Sequence, residues 1–283
     1  RLYLKYHNEL PVIRELQRQG IAVRCTDLPS AGNRRTARAH EGRVEIAWGD
    51  IRDAAWLARQ VEDVDAVIHL AGLLPPATDD RPELAEAVNV TATRQLVAAL
   101  ARSPRPPLLL YPSSLPVFGV TRTQPPPRRV SDPVVATDAY TRHKLAVEDH
   151  LAASSIPWVI FRIGVSVDSR TLSADLGTLR KLIAVRADNR LEYVHPEDVA
   201  LAMVNAVQRR DAVERRTLLI GGGPRCQVTQ SVFLGTALEA TGLRWSASHH
   251  GNDEYYTDWL DTDESQRLLD YQRHGFDDYR REM

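Results

Sequence analysis

A tyrosine and a lysine four residues apart have side chains suited to proton transfer. Tyr140 and Lys144 stand in the stretch 138–148, and the apolar residues Val147 and Leu151 continue it at helical spacing. Positions i and i+4 share one face of a helix, so the ammonium would lie beside the phenol. A neighbouring positive charge favours the phenolate. The pair therefore predicts a general acid/base for alcohol or carbonyl chemistry, although an ordinary helix with one solvated lysine has the same spacing.

The segments around this pair alternate between predicted strands and predicted helices. Apolar runs predict strands at 21–27, 44–48, 65–70, 107–111, 158–161 and 217–220. Helical periodicity predicts helices at 9–19, 54–60, 82–101, 198–208 and 232–241. Arginine-rich and proline-rich stretches predict surface loops at 29–41 and 125–135. This alternation is typical of the α/β class, and we expect a Rossmann-like doubly wound parallel sheet.

Composition excludes several classes of protein. The chain has 283 residues, 43% of them hydrophobic and 26% charged, which suits one large domain or a domain with a smaller lobe. A formal net charge of −1 gives no general attraction to nucleic acid or to an anionic membrane. Cys25 and Cys226 form neither a metal-binding nor a disulfide pattern, and no apolar run approaches the length of a membrane span. We expect a cytoplasmic protein that contacts neither nucleic acid nor membrane.

Further residues suited to ligand binding fall at the ends of the predicted strands, where open α/β sheets bind ligands. An acid there can accept hydrogen bonds from a ribose diol, and a second acid can meet an adenine edge. Small residues let a cofactor approach the backbone, and a serine would face the helix of Tyr140. In chain order these groups are Asp27; Asp50 and Ile51; Leu70, Ala71 and Gly72; and Ser113 and Ser114. Singly they could be a turn acid, a helix N-cap, a turn and a loop, but their shared position favours a site.

These segments together resemble the extended short-chain dehydrogenase/reductase family, the group named for NAD-dependent epimerases and dehydratases. The resemblance covers nearly the whole chain from Glu9. Its segments are Gly49-Asp-Ile-Arg-Asp53, Val67-Ile-His-Leu-Ala-Gly72, Asn89-Val-Thr-Ala-Thr-Arg-Gln-Leu96, Ser113-Ser-Leu-Pro-Val-Phe-Gly119, Tyr140-Thr-Arg-His-Lys144, Tyr193-Val-His-Pro-Glu-Asp-Val-Ala200 and the tail from Leu260 to Leu269. They specify the family closely and the substrate only weakly.

The resemblance implies an NAD-dependent oxidoreductase or epimerase/dehydratase with a small-molecule substrate, and it is compatible with a homodimer. Ser114 would bind the substrate oxygen and Tyr140 would move the proton. Lys144 would hold the nicotinamide ribose and lower the tyrosine pKa. Asp27 would bind the adenosine ribose and favour NAD over NADP, because its charge repels a 2′-phosphate. The adenine would contact Asp50 and Ile51, and the cofactor would pass Leu70, Ala71 and Gly72.

The same resemblance assigns parts of the chain to cofactor and substrate. Residues 1–164, rejoined by 191–222, would form the dinucleotide-binding Rossmann domain. Residues 165–190 and 223–283 would form a small substrate lobe. Arg34, Arg35 and Arg38 could favour NADP, but they lie well past the strand end and we interpret them as solvated loop charges. The net reaction is open between reduction, oxidation, epimerisation and dehydration.

The sequence departs from the family at its start. The family opens with a strand and Gly-x-x-Gly-x-x-Gly, whose glycines leave room for the pyrophosphate at a helix N-terminus. Here no glycine precedes Gly20, and counting back from the helix puts Tyr3, Tyr6 and Glu9 at the three glycine places. We expect either that residues 1–9 differ from the native N-terminus, which we favour, or that the chain is a non-catalytic binding or scaffold protein that has lost the dinucleotide.

A second departure concerns the substrate. Sugar-nucleotide members carry an Asn and Gly-Pro after the sixth strand, whereas Arg162 is followed by Ile-Gly-Val and Asp168 takes the glycine place. Their diphosphate-binding basic positions align with Leu191, beside Arg190, and near His250. A diphosphate calls for bidentate guanidinium partners, and the sequence does not show them in place. We expect no metal site: His249-His250 reads as a loop pair, and His195 as a packing or capping residue near Asp198.

Overall fold

The computed structural model describes residues 2–5, 10–40, 42–167 and 176–283. Its strands are β1 Leu2–Lys5, β2 Val23–Asp27, β3 Glu45–Trp48, β4 Ala66–Ile68, β5 Leu108–Ser114, β6 Trp158–Ile163, β7 Arg190–Glu192, β8 Arg216–Ile220 and β9 Gln227–Thr229. Its α-helices are α1 Leu10–Arg18, α2 Ala31–Ala37, α3 Ala54–Gln60, α4 Ala77–Asp80, α5 Pro82–Glu86, α6 Ala92–Leu100, α7 Ala139–Ala152, α8 Leu176–Ala184, α9 Pro196–Gln208, α10 Arg210–Val213, α11 Gln230–Glu239, α12 Asp263–Leu269 and α13 Phe276–Glu282. Among the described residues, no helix has both the length and the apolar character to cross a bilayer.

Seven strands form one sheet in the order β3-β2-β1-β4-β5-β6-β8. β1 pairs in parallel with β2 on one side and β4 on the other, and β2–β3 and β4–β5 are also parallel. The chain thus runs outward from β1 in one direction and from β4 in the other, which places the topological switch point between these two strands. This order confirms the predicted Rossmann-like doubly wound α/β fold.

The chain divides into two compact units. The first comprises Arg1–Ser113, Ala136–Phe161 and Met203–Thr217, and the second comprises Ser114–Val135, Arg162–Ala202 and Leu218–Met283. The first unit has an aliphatic core in which strands meet α6 and α7, with Leu96, Leu109 and Val147 all buried. The second has an aromatic core in which Tyr193 contacts the rings of Phe276 and Tyr279 on α13. The division of cofactor and substrate roles between segments stays a prediction.

One local prediction about secondary structure was wrong, and another was incomplete. The stretch 29–41 contains helix α2, which begins where the Ser30 side chain accepts a hydrogen bond from the Asn33 backbone, and its arginines are exposed on that helix. The predicted long helix 82–101 contains a π-helical segment, Ala87–Thr91, between α5 and α6. An N-cap serine and a one-residue widening of a helix leave little trace in hydrophobic periodicity, so pattern reasoning missed both.

Candidate active site

The predicted adenosine-binding residues line one cavity of about 140 Å³ in the first unit. Asp27, at the end of β2, and Asp50, after β3, supply carboxylates to it, and Ile51 lies beside them. Leu73 and Val88 supply apolar surface. A cavity of about 150 Å³ is large enough to hold one aromatic ring. The mixed polar and apolar lining suits part of an adenosine, and the binding of adenosine there stays a prediction.

Local hydrogen bonds hold the two acids in place. Asp27 is 3% exposed, and its Oδ1 accepts the Leu28 backbone N–H at 2.7 Å. Asp50 accepts the Arg52 backbone N–H at 2.9 Å and pairs with the Arg52 guanidinium at 2.5 Å. The N-cap of α3 is Asp53, so the alternative interpretation of Asp50 as the cap was wrong. Asp50 lines the cavity and does not cap α3.

The predicted cofactor-facing segment after β4 is fixed by a side chain that the sequence did not single out for a role. Leu70 and Gly72 are half-buried and Ala71 is buried in the core of the first unit. Asn89, in the π-helical segment, accepts the Leu73 backbone N–H at 2.7 Å and donates to the Leu73 carbonyl at 2.9 Å. This two-point contact fixes the backbone immediately after Gly72.

Helix α7 brings Tyr140 and Lys144 together. The helix begins at a capping box in which the Asp138 side chain accepts the Thr141 backbone N–H at 2.7 Å. The Lys144 Nζ lies 5.5 Å from the centre of the Tyr140 ring and 4.8 Å from that of Tyr111. It also donates to the Pro112 carbonyl at 2.5 Å. The predicted pairing of phenol and ammonium on one helix face is therefore present.

Burial tunes the proton affinity of this cluster. Desolvation lowers the pKa of Lys144 to about 8, with the nearby Glu148 carboxylate acting in the opposite direction. Lys144 is therefore still mostly an ammonium at neutral pH. Burial, with the Tyr140 and Glu148 charges adding to it, raises the pKa of the Tyr111 phenol well above its usual value. Tyr111 is consequently unsuited to proton transfer at neutral pH.

The two adjacent serines at the end of β5 differ in their surroundings. Ser113 is buried and donates a hydrogen bond to Glu148 on α7. Ser114, the last residue of β5, is half-buried. Glu148 follows Lys144 by one helical turn, so the sequence places it near that ammonium, whereas its contact with Ser113 joins segments 35 residues apart and left no local sequence signal. The role of Ser114 toward a substrate stays a prediction.

Two basic side chains near the expected diphosphate-binding positions, one beside Leu191 and one in the later segment, have other partners here. Arg190 forms an ion pair with Asp258 at 2.5 Å and donates to the carbonyls of Thr121 and Gln124. His250 accepts from the Trp245 indole at 3.0 Å through Nε2 and bonds the Val185 carbonyl at 2.9 Å through Nδ1. Both side chains therefore make contacts within the second unit, and the expected lack of a diphosphate clamp stays a prediction.

A histidine–carboxylate cluster in the second unit is held by hydrogen bonds. His195 accepts the Glu197 backbone N–H through Nδ1 at 3.2 Å, so it caps the first turn of α9. In the described part of the chain, His195, Glu197 and His274 offer ligand atoms within 4.8 Å of one another. The imidazole rings of His195 and His274 are stacked, with their centres 4.0 Å apart. Because the Nδ1 of His195 accepts a hydrogen bond, the ring proton of its neutral form lies on Nε2. This Nε2 lies 3.2 Å from the Glu282 carboxylate. His274 in turn bonds Asp198 at 2.6 Å. We interpret the cluster as a set of structural contacts that joins the start of α9 to α13.

A stability prediction follows from the buried Asp258. This carboxylate is 1% exposed and pairs with Arg190 and with the equally buried Arg128 at 3.2 Å. We expect Asp258→Ala to lower the free energy of unfolding by about 3–5 kcal/mol, because Arg190 loses its carboxylate partner and Arg128 retains only that of Asp132. Asp261→Ala, which removes the exposed pair with Arg129, is the matched control and should cost less than about 1 kcal/mol. Urea unfolding of both variants provides the measurement, and equal losses would contradict the assignment.

A doubly wound sheet with acids after β2 and β3 and a Tyr–Lys pair on α7 defines a dinucleotide-type α/β protein. The model of the NAD dependent epimerase/dehydratase family matches residues 11–165. This is more than half of the 283-residue chain, and the chain belongs to that family. The predicted family is thus confirmed, and NAD is the cofactor that the family description gives. No curated protein matches the chain.

Several solved structures have the same fold. UDP-glucose-4-epimerase from Stenotrophomonas maltophila, with bound NAD and formylated UDP-arabinopyranose, is 22% identical with a TM-score of 0.79, covering 99% of this chain and 96% of that one. UDP-glucuronic acid 4-epimerase from Bacillus cereus, in complex with UDP-glucuronic acid and NAD, is 16% identical with a TM-score of 0.80 and the same coverage. A short-chain dehydrogenase/reductase superfamily protein from Agrobacterium tumefaciens with bound NAD is 19% identical, with a TM-score of 0.76 and coverage of 99% and 94%.

Proposed function

We propose that this chain is an NAD-dependent enzyme of the epimerase or oxidoreductase type that acts at a carbinol or carbonyl carbon of a small molecule. The observation that supports this most strongly is the Lys144 ammonium, held between the Tyr140 and Tyr111 rings with a pKa of about 8. The Lys144 side chain is half-buried, and its ammonium also donates to the Pro112 carbonyl, which a solvated helix lysine would not do. The cavity lined by Asp27, Asp50 and Ile51 adds a fitting place for the adenosine end of the cofactor.

Each residue has a role that its chemistry allows. NAD, when bound, supplies the hydride acceptor. Tyr140 takes or returns the hydroxyl proton, and the adjacent Lys144 charge favours its phenolate. Lys144 also donates to the nicotinamide ribose, in addition to its bond with Pro112. Ser114 orients the substrate oxygen, and Asp27 accepts from the adenosine ribose. Leu70, Ala71 and Gly72 border the cofactor between these two ends.

The substrate we propose is a small molecule that is not held by an arginine clamp at its diphosphate. Arg190 is already bound to Asp258, and both ring nitrogens of His250 are used within the second unit. Recruiting either side chain for a phosphate would break a buried or half-buried hydrogen bond. The UDP-sugars bound by the neighbouring structures therefore serve as test compounds, and we expect them to bind weakly.

A second candidate is a non-catalytic binding protein of the same fold. The observation in its favour is the stretch Tyr6-His-Asn-Glu9, which lies outside the described residues and contains none of the family's glycines. Titration with NADH, followed by nicotinamide fluorescence, separates the two candidates. Saturable binding together with hydride exchange on a panel of alcohols, aldehydes and sugars supports the enzyme. Absence of NADH binding up to millimolar concentration, both in the parent and in a variant that carries Gly-x-x-Gly-x-x-Gly before Leu10, supports the second candidate.

Asp27 should make the protein prefer NAD over NADP. Its buried carboxylate would face the 2′ position of the adenosine ribose, where a phosphate would meet like charge at short range. We expect at least a tenfold tighter Kd for NAD, which corresponds to about 1.4 kcal/mol. Asp27→Asn should reduce this preference because it removes the charge and retains the size. Isothermal titration with both cofactors tests this, and tighter NADP binding by the parent protein would point to the exposed arginines of α2 instead.

A further inference from the structure

His143, the residue before Lys144 on α7, is buried in a hydrogen-bonded network rather than exposed on the helix surface. It is 8% exposed. Its Nε2 lies 3.0 Å from the Glu86 carboxylate, and its Nδ1 lies 3.3 Å from the side-chain nitrogen of Asn89. Glu86 ends α5, and Asn89 lies in the π-helical segment that follows. One imidazole thus contacts two consecutive parts of the helical run packed against α7.

The partners of the ring define its neutral tautomer. The Asn89 amide nitrogen carries two hydrogens, of which one goes to the Leu73 carbonyl and the other points to the His143 Nδ1. Nδ1 must therefore accept, which leaves the ring proton on Nε2, where Glu86 accepts it. The Asn89 carbonyl oxygen accepts the Leu73 N–H. Every donor and acceptor in the network is matched only when the histidine is neutral.

The network reaches the predicted cofactor site at its far end. Leu73 lines the cavity that contains Asp27 and Asp50, and it directly follows Gly72. π-Helical segments widen a helix locally and often mark functional sites. Here the segment presents Asn89 to Leu73 on one side and to His143 on the other. The orientation of the Asn89 amide therefore connects the helix of Tyr140 and Lys144 to the backbone beside the cavity.

We propose that His143 is a positioning residue that, in its neutral form, fixes the Asn89 amide and through it the cofactor-bordering backbone at Leu73. The role in cofactor binding rests on the proposed function, whereas the contact itself does not. Protonation places a second donor on Nδ1, facing the Asn89 amide hydrogens. Rotating the amide by 180° relieves that contact but turns the NH₂ group toward the Leu73 N–H. Either way the two-point contact with Leu73 is weakened.

The groups around His143 set the pH range of this effect. Burial lowers its pKa from the ordinary 6.5, and Arg142 acts in the same direction, while Glu86 and Asp138 act against it. A histidine whose folded pKa is depressed contributes stability that is complete above its unfolded pKa. That contribution is lost as the pH falls through the folded pKa. The Leu73 contact should therefore be intact at about pH 8 and weakened at acidic pH.

Hydrogen exchange of the Leu73 amide, measured by NMR as a protection factor, tests the proposal without any cofactor. His143→Gln retains an acceptor for Asn89 and a donor for Glu86 but does not titrate, and His143→Leu removes both. At about pH 8, we expect the Leu73 amide to have the same protection factor in the parent and in His143→Gln. In His143→Leu this protection factor should be roughly tenfold lower, which is the equivalent of one hydrogen bond. At the lowest pH at which the protein stays folded, the parent should lose protection while His143→Gln retains it.

His150→Gln is the matched control, because this second α7 histidine also has a pKa lowered by burial but lies about two helical turns beyond His143, the partner of Asn89. It should follow the parent at both pH values. Protection in the parent that does not change with pH, or a parallel loss in His143→Gln, would overturn the proposal even if His143→Leu failed to fold. NADH affinity is the second measurement and should fall several-fold in His143→Leu. If neither the parent nor a variant with the glycine turn before α1 binds NADH, the proposed function fails while the Leu73 exchange still decides the role of His143.

Discussion

Replacing Tyr140 with phenylalanine should abolish turnover while leaving the fold and any cofactor binding nearly intact. The ring still packs on α7 beside Lys144, and only the hydroxyl that moves the proton is removed. General acid–base catalysis by a positioned side chain contributes about 10²–10⁴-fold in rate, so we expect kcat to fall by at least two powers of ten. The measurement is steady-state turnover with a substrate that the parent protein converts.

Tyr111→Phe provides the matched control for this loss. It removes a phenol that also lies beside Lys144 but whose pKa burial raises well above its usual value. We expect it to retain most of the activity. Near-parental turnover in Tyr140→Phe, with Tyr111→Phe equally active, would show that neither phenol moves the proton.

Introducing a glycine turn before α1 should strengthen NAD binding by about two to four powers of ten. β1 ends at Lys5 and α1 begins at Leu10, so Tyr6-His-Asn-Glu9 is the connection to replace with Gly-x-x-Gly-x-x-Gly. Backbone amides of such a turn donate charge-assisted hydrogen bonds to a pyrophosphate, each worth roughly 1.5–3 kcal/mol. Two recovered bonds give the expected gain. Glu9, whose charge opposes that of the phosphates, is removed in the same change.

The control for this experiment is a seven-residue turn of equal length with alanine at the three glycine positions. It tests whether a longer connection between β1 and α1 is by itself sufficient to strengthen NAD binding. Isothermal titration of the parent, the glycine turn and the alanine turn with NAD provides the comparison. Equal micromolar affinity in the parent and the glycine turn would mean that residues 1–9 of this chain already accommodate the pyrophosphate.

The strands and helices that carry the site were predictable because their patterns are local. The apolar run at 107–111, the acid after each early strand and the i, i+4 pair of Tyr140 and Lys144 all follow from chain order and periodicity. The cavity that unites Asp27 with Asp50 follows from parallel pairing, since the carboxyl ends of neighbouring strands share one edge of the sheet.

Contacts between distant segments could not be predicted in the same way. The Lys144 bond to the Pro112 carbonyl and the Asn89 contact with Leu73 depend on how helices pack on strands. The sequence also did not predict β1. It aligned Tyr3 with the first glycine of the family's turn, whereas the structure places Tyr3 in a strand, paired with Arg24 and Val67. Tyr6 and Glu9, counted in the same way, lie outside the described residues. A four-residue strand is recognised by its partners more than by its own sequence.

The central position of β1 has a practical consequence for making the protein. β1 pairs with β2 along all four of its residues and with β4 along two of them. Trimming Leu2–Lys5 would therefore not remove a dispensable end. It would open the middle of the sheet and leave two rows of backbone N–H and C=O groups, on β2 and β4, facing each other without a partner. Unpaired strand edges recruit strands from other molecules. A shortened preparation should be prone to domain swapping and aggregation, with any fusion best attached ahead of residue 2.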